Sequence, residues 1–186
     1  MRIIAGEKRS RQLKAPEGMD TRPTGDKAKE ALFSILMHRI PGARVLDLYA
    51  GSGALSLEAL SRGAEAAVLV DISAKACRVI DENIHALAYE GRTRLLRMND
   101  SAAIALLQKE QARFDVIFLD PPYRMDTAPV CRQIVEAGLL HQEGMLVIEH
   151  SKETPPAVEA PLMLRDRRNY GVAGISFYTW MEEEEA

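Results

Sequence analysis

The chain has 186 residues, a length for one domain with little room for a second. Hydrophobic residues make up 47% and charged residues 27%, enough apolar material for a core without disulfide or metal staples. The net charge of -3 divides unevenly: residues 1–44 carry +5 and the remainder -8. A basic segment on an acidic body is one footprint of nucleic-acid binding, although a solvated hairpin has the same charge pattern. No apolar run approaches the ~18 residues of a membrane span. Met1 to Arg9 lacks the apolar core of a signal peptide. Cys77 and Cys131 stand far apart, outside any CxxC. These features predict a cytoplasmic protein with two buried, reduced thiols.

Residues 1–15 read as one or two short strands around a basic turn at Lys8 to Arg11, giving a small β-arm over 1–20. Thr24 is placed to cap a helix with Asp26 in its first turn. Its apolar stripe is Ala28, Ala31, Leu32, Ile35 and Leu36, and Pro41-Gly42 ends it. From Arg44 onward strands and helices alternate. Strands are predicted at 44–49, 66–71, 93–98, 114–119 and 145–149. The intervening helices run from Ala54 to Arg62, from a Ser73 cap along Cys77, Ile80, Ile84, Leu87 and Ala88, from Asp100 to Lys109, and from Thr127 to Ala137. Such alternation means βαβ units, hence a parallel sheet with helices on both faces. After Pro155-Pro156, residues 162–169 and 174–180 read as an antiparallel hairpin around Tyr170-Gly171. The expected fold is α/β: a Rossmann-like, mostly parallel seven-stranded sheet over 21–180, followed by an acidic disordered tail at 181–186.

Two motifs fall at strand ends. Asp47-Leu48-Tyr49-Ala50-Gly51-Ser52-Gly53 closes the first strand of the alternating region and opens a helix. Its glycines let the backbone turn tightly and bring a ligand to the helix N-terminus. Asp71 ends the next strand, 24 residues after Asp47, where an acid that binds ribose hydroxyls is expected. The third glycine of a dinucleotide fingerprint is missing, because Ser56 stands there. The pattern therefore suits a nucleoside cofactor with no pyrophosphate. Asn99-Asp100 ends the third strand, either as a helix cap or facing an adenine amino group. Asp120-Pro121-Pro122-Tyr123 ends the fourth strand, which two prolines must stop. That tetrapeptide suits a flat molecule with an amino group: the carboxylate and the Pro121 carbonyl accept its two N–H bonds, and Tyr123 stacks on the ring.

In this combination the chain resembles the Rossmann-like class I methyltransferases. Over nearly its whole length, Arg2 to Trp180, it resembles the RsmD family of bacterial 16S rRNA guanine-N2 methyltransferases. Arg22-Pro23-Thr24 to Phe33 is similar to the RPT…REALFN signature of that family, Asp47 to Leu55 to its cofactor loop, Asp120 to Tyr123 to its [DN]PP[YF], and Arg2 to Leu13 to its RIIxG…RGRxL arm. Two residues depart from the pattern: Ser10 stands for a glycine, and Lys29 for a frequent arginine. The resemblance implies methyl transfer from S-adenosylmethionine (AdoMet) to a guanine N2 amino group in 16S rRNA, within an assembling small ribosomal subunit and without a metal. It implies a catalytic set of Asp120, Pro121, Pro122 and Tyr123. The cofactor would meet Thr24, Asp47, Tyr49 and Ala50, the loop Gly51, Ser52 and Gly53, and Asp71, Ile72, Asn99 and Asp100. Arg9, Arg11, Lys14, Arg22 and Lys27 would meet RNA phosphates, with Arg167 and Arg168 as further candidates. On this reading the arm grips RNA and takes no part in the chemistry. Alternatives are DNA adenine-N6 or protein glutamine-N5 methylation on the same fold, a non-catalytic RNA-binding assembly factor, and, more distantly, a dehydrogenase.

Overall fold

The structure, a computed structural model, describes residues 1–16 and 25–181. The expected helix cap Thr24 and the basic Arg22 lie outside the described residues. Seven strands form one sheet: β1 (Arg44–Asp47), β2 (Ala66–Asp71), β3 (Thr93–Arg97), β4 (Phe114–Leu119), β5 (Leu140–Ser151), β6 (Leu162–Tyr170) and β7 (Ala173–Trp180), in the order β3-β2-β1-β4-β5-β7-β6. β1 to β5 run parallel, and the β6–β7 hairpin joins antiparallel through β7 against β5. The helices are α1 (Gly25–Ile35), α2 (Ala54–Ser61), α3 (Ala74–Leu87), α4 (Asp100–Lys109) and α5 (Ala128–Glu136). The expected mostly parallel sheet with a C-terminal hairpin is thus present. Among the described residues no helix is long and apolar enough to cross a membrane.

Alternation along each strand divides the apolar side chains between two faces. Val45, Val116 and Phe118 join one core with Leu32, Phe33, Leu57 and Ile80, under α1, α2 and α3. Leu46, Ile117 and Leu119 join the other with Ile104 and Ile134, under α4 and α5. Cys77 and Cys131 are both unpaired and buried. Burial pushes the Cys131 thiol up to about 12, so it is inert packing.

Three local readings need correction. α1 buries Ala28, Lys29, Leu32 and Phe33, while Ala31 and Ile35 are only half-buried. Its inner face is rotated because Phe33 packs on Phe118, ring centroids 6.0 Å apart, and Lys29 turns inward to an acid. Ala88 belongs to no stripe: it is the exposed left-handed cap of α3, at φ 56°. β5 begins five residues early, at Leu140 instead of Met145, because its pairing with β4 shifts register between Phe114 and Val116. That irregularity breaks the period-two pattern by which a strand is read.

The N-terminal arm differs more. Its expected strands reduce to a single antiparallel bridge between Arg2 and Gln12, closed by a turn in which Ser10 takes φ 69°. Ile3 and Leu13 are buried in the α1–α3 core. Glu58 of α2, itself fully buried, accepts the Ile4 and Ala5 amides at 2.8 and 3.0 Å. It also pairs with Lys29 Nζ at 3.3 Å and Arg62 Nε at 2.7 Å, while Lys29 donates to the Arg2 carbonyl. Burial lowers the pKa of Lys29, and the charge of Glu58 opposes that fall. At the far end Asn83 of α3 accepts the Lys14 amide at 2.8 Å and donates to the Lys14 carbonyl at 3.0 Å. Gly6 lies so close to the end of α2 that a Cβ there would sit 1.8 Å from the Ser61 carbonyl oxygen. The arm is therefore fastened to the helices that carry the site.

Candidate active site

The strand order turns between β1 and β4, and such a switch point opens a crevice at the carboxyl ends of the strands. Both motifs lie there. β1 ends in Asp47, which is 1% exposed. Its Oδ2 accepts the Ser56 hydroxyl at 3.1 Å, whereas its Oδ1 has no hydrogen-bond partner among the described residues. Burial pushes the carboxyl up to about 7, and the Ser56 bond restrains the rise. A buried, half-satisfied carboxyl group on a cleft wall has an oxygen left to accept a hydrogen bond.

The glycine loop is held from three sides. Gly51 and Gly53 take φ of 59° and 78°, and a Cβ on Gly53 would come within 3.1 Å of Leu69. Asp71 at the end of β2 accepts the Gly51 amide at 2.9 Å through one oxygen and the Ser73 amide at 2.8 Å through the other. Asn83, which also holds the arm, donates to the Ser52 carbonyl at 2.9 Å. Tyr49 donates its hydroxyl to Asp100 at 2.6 Å, and burial together with that carboxylate raises the phenol pKa. The helix cap is Asn99, which accepts the Ala102 amide, while Asp100 sits in the first turn of α4. Beyond Asp71, Ile72 is 72% exposed, an apolar surface at the rim.

The cleft is lined by Asp47, Tyr49, Ala50, Gly51 and Ser52 on one side and by Asp120 and Glu149 on the other, with Lys29 and Met1 closing its edge. The Ser52 hydroxyl contacts the Met1 sulfur at 3.3 Å. The arm thus contributes to the wall, where none of its residues was expected. Gly53 is buried behind the loop, and Asp71, Ile72, Asn99 and Asp100 lie at the neighbouring strand ends. Asp120 is exposed at the end of β4, and Pro121 is buried. Pro121, Pro122 and Tyr123 line a second, wider groove, together with Thr154, Pro155 and Pro156. Glu149 of β5 belongs to both walls and accepts the Tyr123 hydroxyl at 3.0 Å. Sequence reasoning missed it, although an acid near the carboxyl end of a parallel strand is the signal that identified Asp71.

The basic residues do not converge on the cleft. Arg9 and Lys27 are exposed, Arg11 donates to the Ala86 carbonyl, and Lys14 pairs with Glu82 at 2.7 Å on the surface. On the hairpin Arg167 donates to the Ser176 hydroxyl, and Arg168 pairs with Asp166.

The family model described as conserved hypothetical protein 95 matches residues 1–179. The chain is 37% identical over 180 residues to the "Putative rRNA methyltransferase YlbH" of Bacillus subtilis, covering 96% of this chain and 98% of that protein. It is 33% identical over 180 residues to the "Ribosomal RNA small subunit methyltransferase D" of Escherichia coli, covering 96% and 89%. Among solved structures, the "Putative methyltransferase yhhF" of Escherichia coli superposes with a TM-score of 0.84 at 29% identity, over 98% of this chain and 99% of the other.

Proposed function

The chain belongs to the conserved hypothetical protein 95 (RsmD) family, and from that premise we propose that it methylates the exocyclic N2 amino group of a guanine in 16S rRNA, with AdoMet as donor. The observation that carries this reading is the pairing of two unlike acids across the switch point, a buried Asp47 that lacks one partner and an exposed Asp120 beside two prolines. The first suits the ammonium of an amino-acid tail. The second suits an amine that arrives from outside.

AdoMet, when bound, supplies a methyl group on a sulfonium, already a strong electrophile. The residues of the chain then have to hold, orient and stabilise. Asp47 receives the ammonium, and the open backbone at Gly51 and Ser52 admits the tail. Asp71 keeps the loop in place through the Gly51 amide and accepts the ribose hydroxyls with its remaining lone pairs. Ile72 offers an apolar face to the adenine, and Asn99 and Asp100 flank its amino group.

A guanine amino group is a weak nucleophile, because its lone pair is delocalised into the ring, so alignment matters more than a strong base. Asp120 and the Pro121 carbonyl accept its two hydrogens and aim the lone pair at the methyl. Positive charge grows on nitrogen during transfer, and the Asp120 carboxylate stabilises it. Tyr123 stacks on the base, a contact worth about 1–3 kcal/mol, after the base has left its own stack. Arg9, Arg11, Lys14 and Lys27 meet the RNA backbone of the assembling subunit, outside the cleft. The test is incubation of the purified protein with small-subunit rRNA, both free and in assembling particles from cells that lack the protein, and methyl-labelled AdoMet, followed by digestion to nucleosides. N2-methylguanosine is the expected product; label in N6-methyladenosine, or no transfer, overturns the reading.

A further inference from the structure

We propose that Glu149 reads the target base, and that it distinguishes a base presenting two adjacent donors from one that presents a donor beside an acceptor. The inference rests on the guanine-N2 reading above. Leu119, the last residue of β4, pairs with Ile148 of β5, so Asp120 just beyond β4 and Glu149 of β5 both follow that pair at the cleft end of the two parallel strands. Both line the cleft, and Glu149 also lines the groove through which a base must enter. Two neighbouring carboxylates make an all-acceptor wall. An ionised carboxylate can accept hydrogen bonds but not donate them, and the Tyr123 hydroxyl donates to Oε1 of Glu149. That bond also fixes the carboxylate against the ring expected to stack on the base.

The Watson–Crick edge of guanine carries the N1–H directly beside the N2 amino group, two donors in a row. With Asp120 and the Pro121 carbonyl holding the amino group, Glu149 is placed to accept the N1–H. Adenine, or any purine with an unprotonated N1, would turn a lone pair toward that carboxylate. The repulsion would combine with a lost hydrogen bond, the kind of mismatch by which polar sites reject analogues.

The test compares an RNA carrying the guanine that the wild-type protein methylates with the same RNA carrying 2-aminopurine there. 2-Aminopurine keeps the exocyclic amine but has a lone pair at N1. Glu149→Gln keeps the side-chain shape and can donate to that lone pair. The ratio of kcat/KM for guanine over 2-aminopurine should fall by about tenfold or more in Glu149→Gln, the scale of one mismatched hydrogen bond. Any effect of the substitution on cofactor binding or folding is common to both substrates and cancels in the ratio. Tyr123→Phe removes the bond that fixes the Glu149 carboxylate, so it should slow both substrates and lower the same ratio by less than Glu149→Gln does. A ratio in Glu149→Gln equal to that of wild type overturns the proposal while leaving guanine methylation intact. Failure of the wild-type protein to methylate the guanine N2 overturns the reading beneath it.

Discussion

The two ends of the cleft are built differently. At the glycine-loop end almost every polar group is anchored: Asp47 to Ser56, Gly51 to Asp71, Ser52 to Asn83, Tyr49 to Asp100. Behind it stands the buried Lys29–Glu58–Arg62 cluster that fastens the arm. At the other end Asp120, Pro122, Arg124 and Asp126 are exposed, and Tyr123 reaches across to Glu149 over an open groove. The difference suits the sizes of the two ligands. A small cofactor is gripped by a preformed pocket, whereas a macromolecule needs an edge left open until it supplies the missing wall. Substitutions at the anchored end should therefore act on stability and cofactor affinity, and those at the open end on rate.

The largest effect tests the anchored end. Glu58→Ala leaves Lys29 buried without its counter-charge and leaves two arm amides without an acceptor. It should destabilise the protein by about 3–5 kcal/mol, the penalty for breaking a buried pair from one side, measured as a shift in the urea midpoint. At the open end, Asp120→Ala should lower kcat by about 10²–10³, or roughly 3–4 kcal/mol of transition-state stabilisation, with AdoMet affinity by calorimetry nearly unchanged. Loss of affinity without loss of rate would reverse the assignment of the two ends. Asp71→Ala should weaken AdoMet binding by about 1.5–3 kcal/mol, the scale of hydrogen bonds to a charged group, and unaltered affinity would remove Asp71 from the cofactor site.

Asp47 gives the anchored end a pH signature. Its carboxyl is raised from 3.8 to about 7 in the folded chain. Between those values the folded chain holds a proton at Asp47 that the unfolded chain has released, so the contribution of this group to stability is greatest below about 4 and falls as pH rises toward 7. The slope is at most about 1.4 kcal/mol per pH unit, one proton's worth. In urea titrations across this range the stability of wild type relative to Asp47→Asn should fall as pH rises; a difference that does not change with pH would mean that Asp47 is ionised throughout. The smallest effect lies in the arm. Ser10 holds a left-handed conformation that disfavours a side chain. Ser10→Gly should stabilise the protein by about 0.5–1 kcal/mol, the relief of strain less the extra chain entropy of glycine.

The sheet was legible because β1, β2 and β4 are short apolar runs that end on or beside an acid, Asp47, Asp71 and Asp120. Its site residues were legible for the same reason: Asp47, Asp71 and Asp120 are polar residues that terminate apolar strands. Glu149 escaped although the strand predicted at 145–149 ends on it, because it belongs to neither motif and only its pairing beside β4 brings it to the cleft. Lys29 and Glu58 escaped because a charged residue within a helix reads as solvent-facing, and only their meeting across α1 and α2 makes burial tolerable. The arm read as a separate basic hairpin because its anchors are backbone amides, which leave no trace in residue type.

Those anchors also set an order of assembly. Ile4 waits for an acceptor 54 positions away and Lys14 for one 69 positions away. During synthesis the arm emerges ahead of its anchors, and it has nothing to bind until α2 and most of α3 have left the ribosome. Contacts of such long sequence separation form late and slow a fold. The same Asn83 that receives the arm holds the Ser52 carbonyl, so the arm and the glycine loop share one support on α3. A substitution that unseats the arm would then be felt at the glycine loop as well.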